Sequence, residues 1–177
     1  FTECANLADN INDLGFSYQG DWHFIDTPYL TDGGSIEDYP LFVESNTNVV
    51  GALTDLFAFL KGEDVSSSIY ITPIVDSVPD VTDQRSFAIR LMIHYTGDIH
   101  QPLHAATVVN NEYPEGDRGG NTEWISPEIG GVKNLHAIWD SVIYEYCGYP
   151  TVPLSALGWK TFTANAEKGV KKYPVEA

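Results

Sequence analysis

His94-Tyr95-Thr96-Gly97-Asp98-Ile99-His100-Gln101-Pro102-Leu103-His104 is the stretch on which the reading of this chain turns. It holds three of the five histidines in 177 residues, with a carboxylate between them. The residues before it, Arg85 to Asp98, read as a helix: Phe87, Ile89, Leu91, Met92 and Ile93 are apolar, and no Gly or Pro intervenes before Gly97. On that helix His94 and Asp98 stand four residues apart and project from one face, a turn apart. Pro102 takes the chain out of the helix, so His104 can return from another direction. Imidazole and carboxylate groups converging from a helix and from the turn after it suit a zinc ion.

An isolated His–Asp pair at this spacing is more often a hydrogen-bonded surface pair than a metal site. Here the pattern recurs. Asn134-Leu135-His136-Ala137-Ile138-Trp139-Asp140 again sets His and Asp four apart in a helix-like segment, which places four of the five histidines in two such clusters. The fifth, His23, lies in the aromatic run Asp21-Trp22-His23-Phe24-Ile25-Asp26, which reads as buried or lining a cleft.

The length suits one domain, residues 1–177, large enough for a sizeable core. A formal net charge of −16 argues against a basic nucleic-acid-binding surface. It does not exclude chemistry on phosphates, because bound metal ions add local positive charge and some of the acids can be ligands. No apolar run reaches the ~20 residues that span a bilayer. Cys4 and Cys147 are either one disulfide joining the two ends or two free thiols, and their spacing does not choose. The absence of an N-terminal Met and of a signal peptide is expected of a processed product or a fragment.

In chain order, Thr2 to Leu14 is expected to be helical and to end at Gly15, followed by an extended or irregular piece at Asp21–Asp26. A Gly- and Asp-rich loop covers residues 31–40. A helix running from Phe42 or Asn46 to Lys61 is indicated by Val49, Val50, Leu53, Leu56, Phe57 and Leu60. Ser68 to Thr72 has the composition of a strand. Asp80 or Thr82 is the expected cap of the His94 helix. Asn121–Ile125 and Val132–Leu135 are expected to pair across Gly130-Gly131. The His136 helix should run to about Tyr146. A last helix from Pro153 to about Val170 offers Leu154, Leu157, Trp159 and Phe162 as a packing face. The fold class is mainly α with a small β-hairpin.

Five blocks together resemble the zinc-dependent single-strand-specific nucleases of fungi and plants, the class I nucleases or 3'-nucleotidase/nucleases, which are related in fold to bacterial zinc phospholipase C. The blocks are Ala8-Asp9, Trp22 to Asp26, His94 to His104, Gly119-Gly120-Asn121, and Asn134 to Asp140. They occur in family order over roughly Asn6 to Asp140. The resemblance implies a first zinc site of Asp9, His23, His94 and Asp98, and a second of His104, His136 and Asp140. It implies catalytic roles for Asp9 and Asp98, base stacking by Phe24, base hydrogen bonding by Asp26, and a cleft position for Asn121. His100 is implied to be a structural hydrogen-bonding residue.

The resemblance further implies a secreted enzyme that cleaves RNA, single-stranded DNA or 3'-nucleotides. The chain also departs from the family's pattern. Asn12 stands where the family has a basic residue. The N-terminal ligands of a third zinc ion have no counterpart before Asp9, and the family's length beyond the last Asp ligand is not matched. These departures motivate a second expectation from another class: a nuclease-derived structural or self-assembling protein, with homo-oligomers as partners, that keeps zinc for stability.

Overall fold

A computed structural model describes residues 4–141 and 153–174. The fold is mainly α. Helices α1 (Leu7–Asn10), α2 (Val49–Lys61), α3 (Ile71–Ser77), α4 (Val81–Asp98), α5 (Leu135–Asp140) and α6 (Ala156–Lys172) are joined by 3₁₀ turns and two small two-stranded sheets.

The core forms where α2, α3 and α4 turn their apolar faces together. Val49, Ala52 and Leu56 of α2 meet Ile71 and Ile74 of α3 and Ala88, Leu91 and Tyr95 of α4, with Ala8 and Trp22 closing the cluster. The two long helices of the core, α2 and α4, begin on side-chain caps. Asn48 Oδ1 accepts from Gly51 N at 3.0 Å, and Asp80 Oδ1 accepts from Thr82 N at 2.8 Å and Asp83 N at 3.1 Å, which satisfies amides that have no partner inside the helix. Gly51 is required by packing: a Cβ there would lie 2.2 Å from the Tyr70 hydroxyl, which accepts from Asn48 N.

Strand β1 (Thr27–Leu30) runs parallel to β2 (Ala106–Val109), in register from Thr27 with Ala106 to Leu30 with Val109. Strands β3 (Trp124–Ile129) and β4 (Val132–Asn134) form the expected antiparallel hairpin, turning through Gly130 and Gly131, both at positive φ.

Several elements differ from expectation. Of the helix expected over Thr2–Leu14, the described residues form α-helix only at Leu7–Asn10 and a 3₁₀ turn at Asn12–Leu14, and Gly15 ends it at φ 95°. Ser17–His23 is 3₁₀, and extended backbone begins after it. Ser68–Thr72 is not a strand. The Ser68 hydroxyl accepts from the amides of Tyr70 and Ile71 and so initiates α3, with Pro73 tolerated in its first turn. The last helix forms but has no buried residue, and Leu157 is 73% exposed, so its apolar side chains do not make the expected packed face within the described residues. The end of the His136 helix beyond Ser141 lies outside the described residues, as does Cys147; Cys4 is a half-buried free thiol. Among the described residues no helix is long and apolar enough to cross a membrane.

Candidate metal centre

Two His/Asp groups face one cleft of about 1370 Å³. The first gathers Asp9 from α1, His23 from the end of the 3₁₀ turn, and His94 from α4. The second gathers His104 from the turn after Pro102 with His136 and Asp140 from α5. Within each group the donor atoms lie within 4.8 Å of one another. Asp98 adjoins the first group, with Oδ2 3.0 Å from His23 Nδ1 and 3.1 Å from His94 Nε2. Asp9 Oδ1 lies 3.7 Å and 3.5 Å from the same two nitrogens.

What the outer nitrogens touch decides which nitrogens face inward. A backbone carbonyl can only accept, so the ring nitrogen against it must carry the proton. His94 Nδ1 donates to the Ala5 carbonyl. His104 Nδ1 donates to the His23 carbonyl at 2.8 Å, and His136 Nδ1 donates to the Gly119 carbonyl at 2.8 Å. In its neutral form each of these rings therefore turns an unprotonated Nε2 towards its cluster. His23 is reversed: Nε2 faces Gln19 Oε1 at 3.0 Å, and Nδ1 faces the cluster.

Inward-facing His94 Nε2 and His23 Nδ1 stand 3.0 Å apart beside two carboxylates. Two lone pairs at that separation need a proton or a cation between them. The titration behaviour points the same way. Burial disfavours the charged form of His94, but hydrogen bonds to Asp9 and Asp98, the Asp98 charge and the Ala5 carbonyl outweigh it and push its pKa up to about 10. Burial likewise works against ionised Asp98, yet its close contacts with His23 and His94, and then the charges of His94 and His104, hold its carboxyl down to about 2. In the second group burial opposes charge on His104, while Asp140 and the His23 carbonyl raise its pKa overall. Asp140 is lowered, its burial outweighed by His104 and Gln101. Both sites are built to hold positive charge, and nitrogen and oxygen donors in these proportions fit a divalent metal ion.

The two groups are tied together by backbone. The His23 carbonyl accepts from His104, and Ile25 N donates to the His104 carbonyl at 2.7 Å, so the β1–β2 pairing begins where the sites meet. The second group depends on the turn Arg118-Gly119-Gly120, all three at positive φ. A Cβ on Gly119 would lie 2.2 Å from the Leu103 carbonyl oxygen, so only glycine lets this turn approach closely enough for its carbonyl to hold His136.

All ten candidate site residues line or adjoin this cleft. Phe24 and Asp26 lie on its wall and also line a smaller adjoining pocket. Burial, and then the charges of Asp117 and Asp21, raise the Asp26 pKa. Asn121 is exposed on the cleft and bonds the Arg118 carbonyl through Nδ2 at 2.9 Å. His100 donates from Nδ1 to the Thr96 carbonyl at 2.6 Å and contributes to the rim.

Sequence reasoning missed Gln19, Gln101 and Arg118. Gln101 donates from Nε2 to Asp140 Oδ1 at 2.9 Å and accepts from Leu103 N through Oε1 at 2.6 Å, orienting the carboxylate. Arg118 is the one Lys or Arg lining the cleft among the described residues. Gln19 could have been suspected from its spacing four residues before His23. The roles of the Ala5 and Gly119 carbonyls leave no side-chain signal.

A helical protein with two imidazole–carboxylate clusters lining one cleft is thereby defined. The sequence matches the family S1/P1 Nuclease over residues 1–174, and the chain belongs to that family. Among curated proteins of Arabidopsis thaliana it is 41% identical over 61 residues to Endonuclease 3, covering 33% of this chain and 17% of that protein. It is 34% identical over 94 residues to Endonuclease 2, covering 48% of this chain and 29% of that protein. The aligned stretches thus span less than a third of either relative's length.

Proposed function

We propose that the chain forms one nuclease-like domain that hydrolyses phosphodiester bonds of single-stranded nucleic acid, and 3'-nucleotides, with zinc held at two sites. The observation carrying this reading is the pair of clusters opening on one cleft whose wall presents an aromatic ring and a carboxyl group. Zinc held there would supply an activated water and neutralise charge on the phosphate and the leaving oxygen.

The protein's own residues do the rest. Asp9, His23, His94 and Asp98 would hold the first ion, with Asp98 the more enclosed of the two carboxylates: its side chain is 15% exposed against 63% for Asp9. His104, His136 and Asp140 would hold the second with three protein ligands, leaving positions open to substrate. Phe24 would stack on an unpaired base, a contact worth about 1–3 kcal/mol that tolerates any base. Asp26 would accept from the base edge, and Asn121 would border the nucleotide. With a net charge of −16 the chain repels polyanions at long range, so attraction has to be local to the cleft. Secretion is part of the same reading.

The test is release of nucleotides from single-stranded RNA and DNA by the purified chain, before and after chelation and after zinc is restored. Activity lost to chelator and regained with zinc is the expected result. Two zinc ions per chain with no hydrolysis on any of these substrates would overturn it in favour of a structural or self-assembling protein that keeps the metal for stability.

A further inference from the structure

Gln19 is wholly buried, and every hydrogen-bonding capacity of its amide is used. Nε2 donates to the Ala8 carbonyl at 2.8 Å and to Asn12 Oδ1 at 2.7 Å. Oε1 accepts from His23 Nε2 at 3.0 Å and from the Tyr95 hydroxyl. The Ala8 carbonyl can only accept, so the amide NH₂ must lie there and the amide cannot be flipped. Oε1 is then forced towards His23 and Tyr95. An oxygen acceptor opposite Nε2 requires the proton of neutral His23 to sit on Nε2, which leaves Nδ1 as the donor atom 3.0 Å from Asp98 Oδ2.

We propose that Gln19 is a positioning residue that locks His23 in the Nε2–H tautomer and so presents Nδ1 to the first metal site. The proposal rests on the reading of that cluster as a metal site. The geometry shows why a side chain is needed here. His94, His104 and His136 all point Nε2 inward and donate from Nδ1 to main-chain carbonyls. His23 alone is turned round, and its outer nitrogen meets the buried Gln19 side chain in place of a main-chain carbonyl. Gln19 supplies the missing acceptor. Through Ala8 it also ties the ring to α1, which carries Asp9, so one amide fixes two members of the cluster relative to each other.

The test compares the wild-type chain with Gln19→Met, which keeps the volume and removes the amide, and with Gln19→Glu, which keeps an acceptor opposite Nε2. Long-range proton–nitrogen correlation on metal-free protein with neutral imidazole reads the His23 tautomer directly. Zinc titration reads the two sites, the second serving as an internal control for folding. The expected result is Nε2–H in wild type and in Gln19→Glu. In Gln19→Met the other tautomer should appear, with roughly 10- to 100-fold weaker zinc binding at one site only, the range for loss of an outer partner of a metal ligand.

Nδ1–H in the wild type would overturn the proposal. So would unchanged zinc binding in Gln19→Met, or equal loss at both sites, which would make Gln19 a core residue and no more. If Gln19→Met does not fold, Gln19→Glu decides: loss of the Nε2–H tautomer there overturns the proposal. A wild type that takes up no zinc at either site would refute the metal reading alone, and the nitrogen spectrum would still decide the tautomer.

Discussion

The two clusters use the same side chains in opposite settings. His23 and His94 are each 8% exposed, rooted in the helical core and braced by Gln19, Tyr95 and the Ala5 carbonyl. The second cluster is braced by loops, although His136 and Asp140 themselves stand on α5. His104 hangs on the His23 carbonyl, His136 on the carbonyl of a glycine turn, and the Asp140 side chain is 45% exposed. The first site is therefore continuous with what holds the fold together, and the second is attached to it through backbone. The difference teaches where damage should spread: a lesion at the first site reaches stability, and a lesion at the second should stay local.

The largest effect should follow His94→Ala. It removes an inward nitrogen and leaves the half-buried Asp98 without one of its two imidazole partners, which costs stability as well as metal. Hydrolysis should fall below detection and the melting temperature should drop in both the metal-free and the zinc-loaded protein. His136→Ala should abolish hydrolysis equally while leaving the metal-free melting temperature close to wild type. Equal destabilisation of the metal-free protein by both would erase the contrast. Gly119→Ala comes next. The φ of 59° alone costs about 1–2 kcal/mol for a residue with a Cβ, and the added carbon would strike the Leu103 carbonyl. The turn must shift and release His136, so zinc binding at the second site should weaken on the order of 10- to 100-fold. The first site should titrate as in wild type; weakening there instead would show that the sites are one mechanical unit.

The same contrast governs what could be seen in the sequence. His94–Asp98 and His136–Asp140 were legible because helical period converts a spacing of four into a shared face. The mainly helical class and the Gly130-Gly131 hairpin followed from local rules that tertiary structure left in force. Joining Asp9 and His23 to His94 required a resemblance, since they come from separate short elements brought together by the core. Ser68–Thr72 misled because Ile-Tyr-Ile suits a strand, while the decisive feature was a serine hydroxyl capping a helix. Of the Gln19 network only the spacing of four to His23 is local; its other partners, and the Gly119 carbonyl above all, carry no pattern in the sequence. Legibility thus followed helical spacing in both sites, and failed where the core joins separate short elements or where glycine conformation does the positioning.

Substrate contacts should give smaller effects and leave both sites filled. Phe24→Ala removes the ring from the cleft wall without touching a metal-facing atom, so binding of short single-stranded oligonucleotides should weaken by about 1–3 kcal/mol. Duplex substrates should be indifferent to the change. A uniform loss on single strands and duplexes would deny the ring its selective role.

The smallest effect should belong to Arg118, which borders the loop-built site. Its backbone sits at φ 55°, an arrangement unusual for a residue other than Gly, Asn or Asp, and both the amide and the side chain of Asn121 bond its carbonyl. Its guanidinium has no ion-pair partner among the described residues, although acids outnumber Lys and Arg by 25 to 9 in the chain. An unpaired cation on the rim of an otherwise acidic cleft is suited to a phosphate of the bound strand. Arg118→Ala should weaken oligonucleotide binding only a few-fold, but uniformly across sequences, and should lower the salt slope of binding by about 0.7, the single-strand value for one phosphate contact. Binding at several salt concentrations distinguishes this from a disturbed turn. A displaced turn would weaken zinc at the second site as Gly119→Ala does and leave the salt slope unchanged, whereas a lost phosphate contact would change the slope and leave zinc where it was.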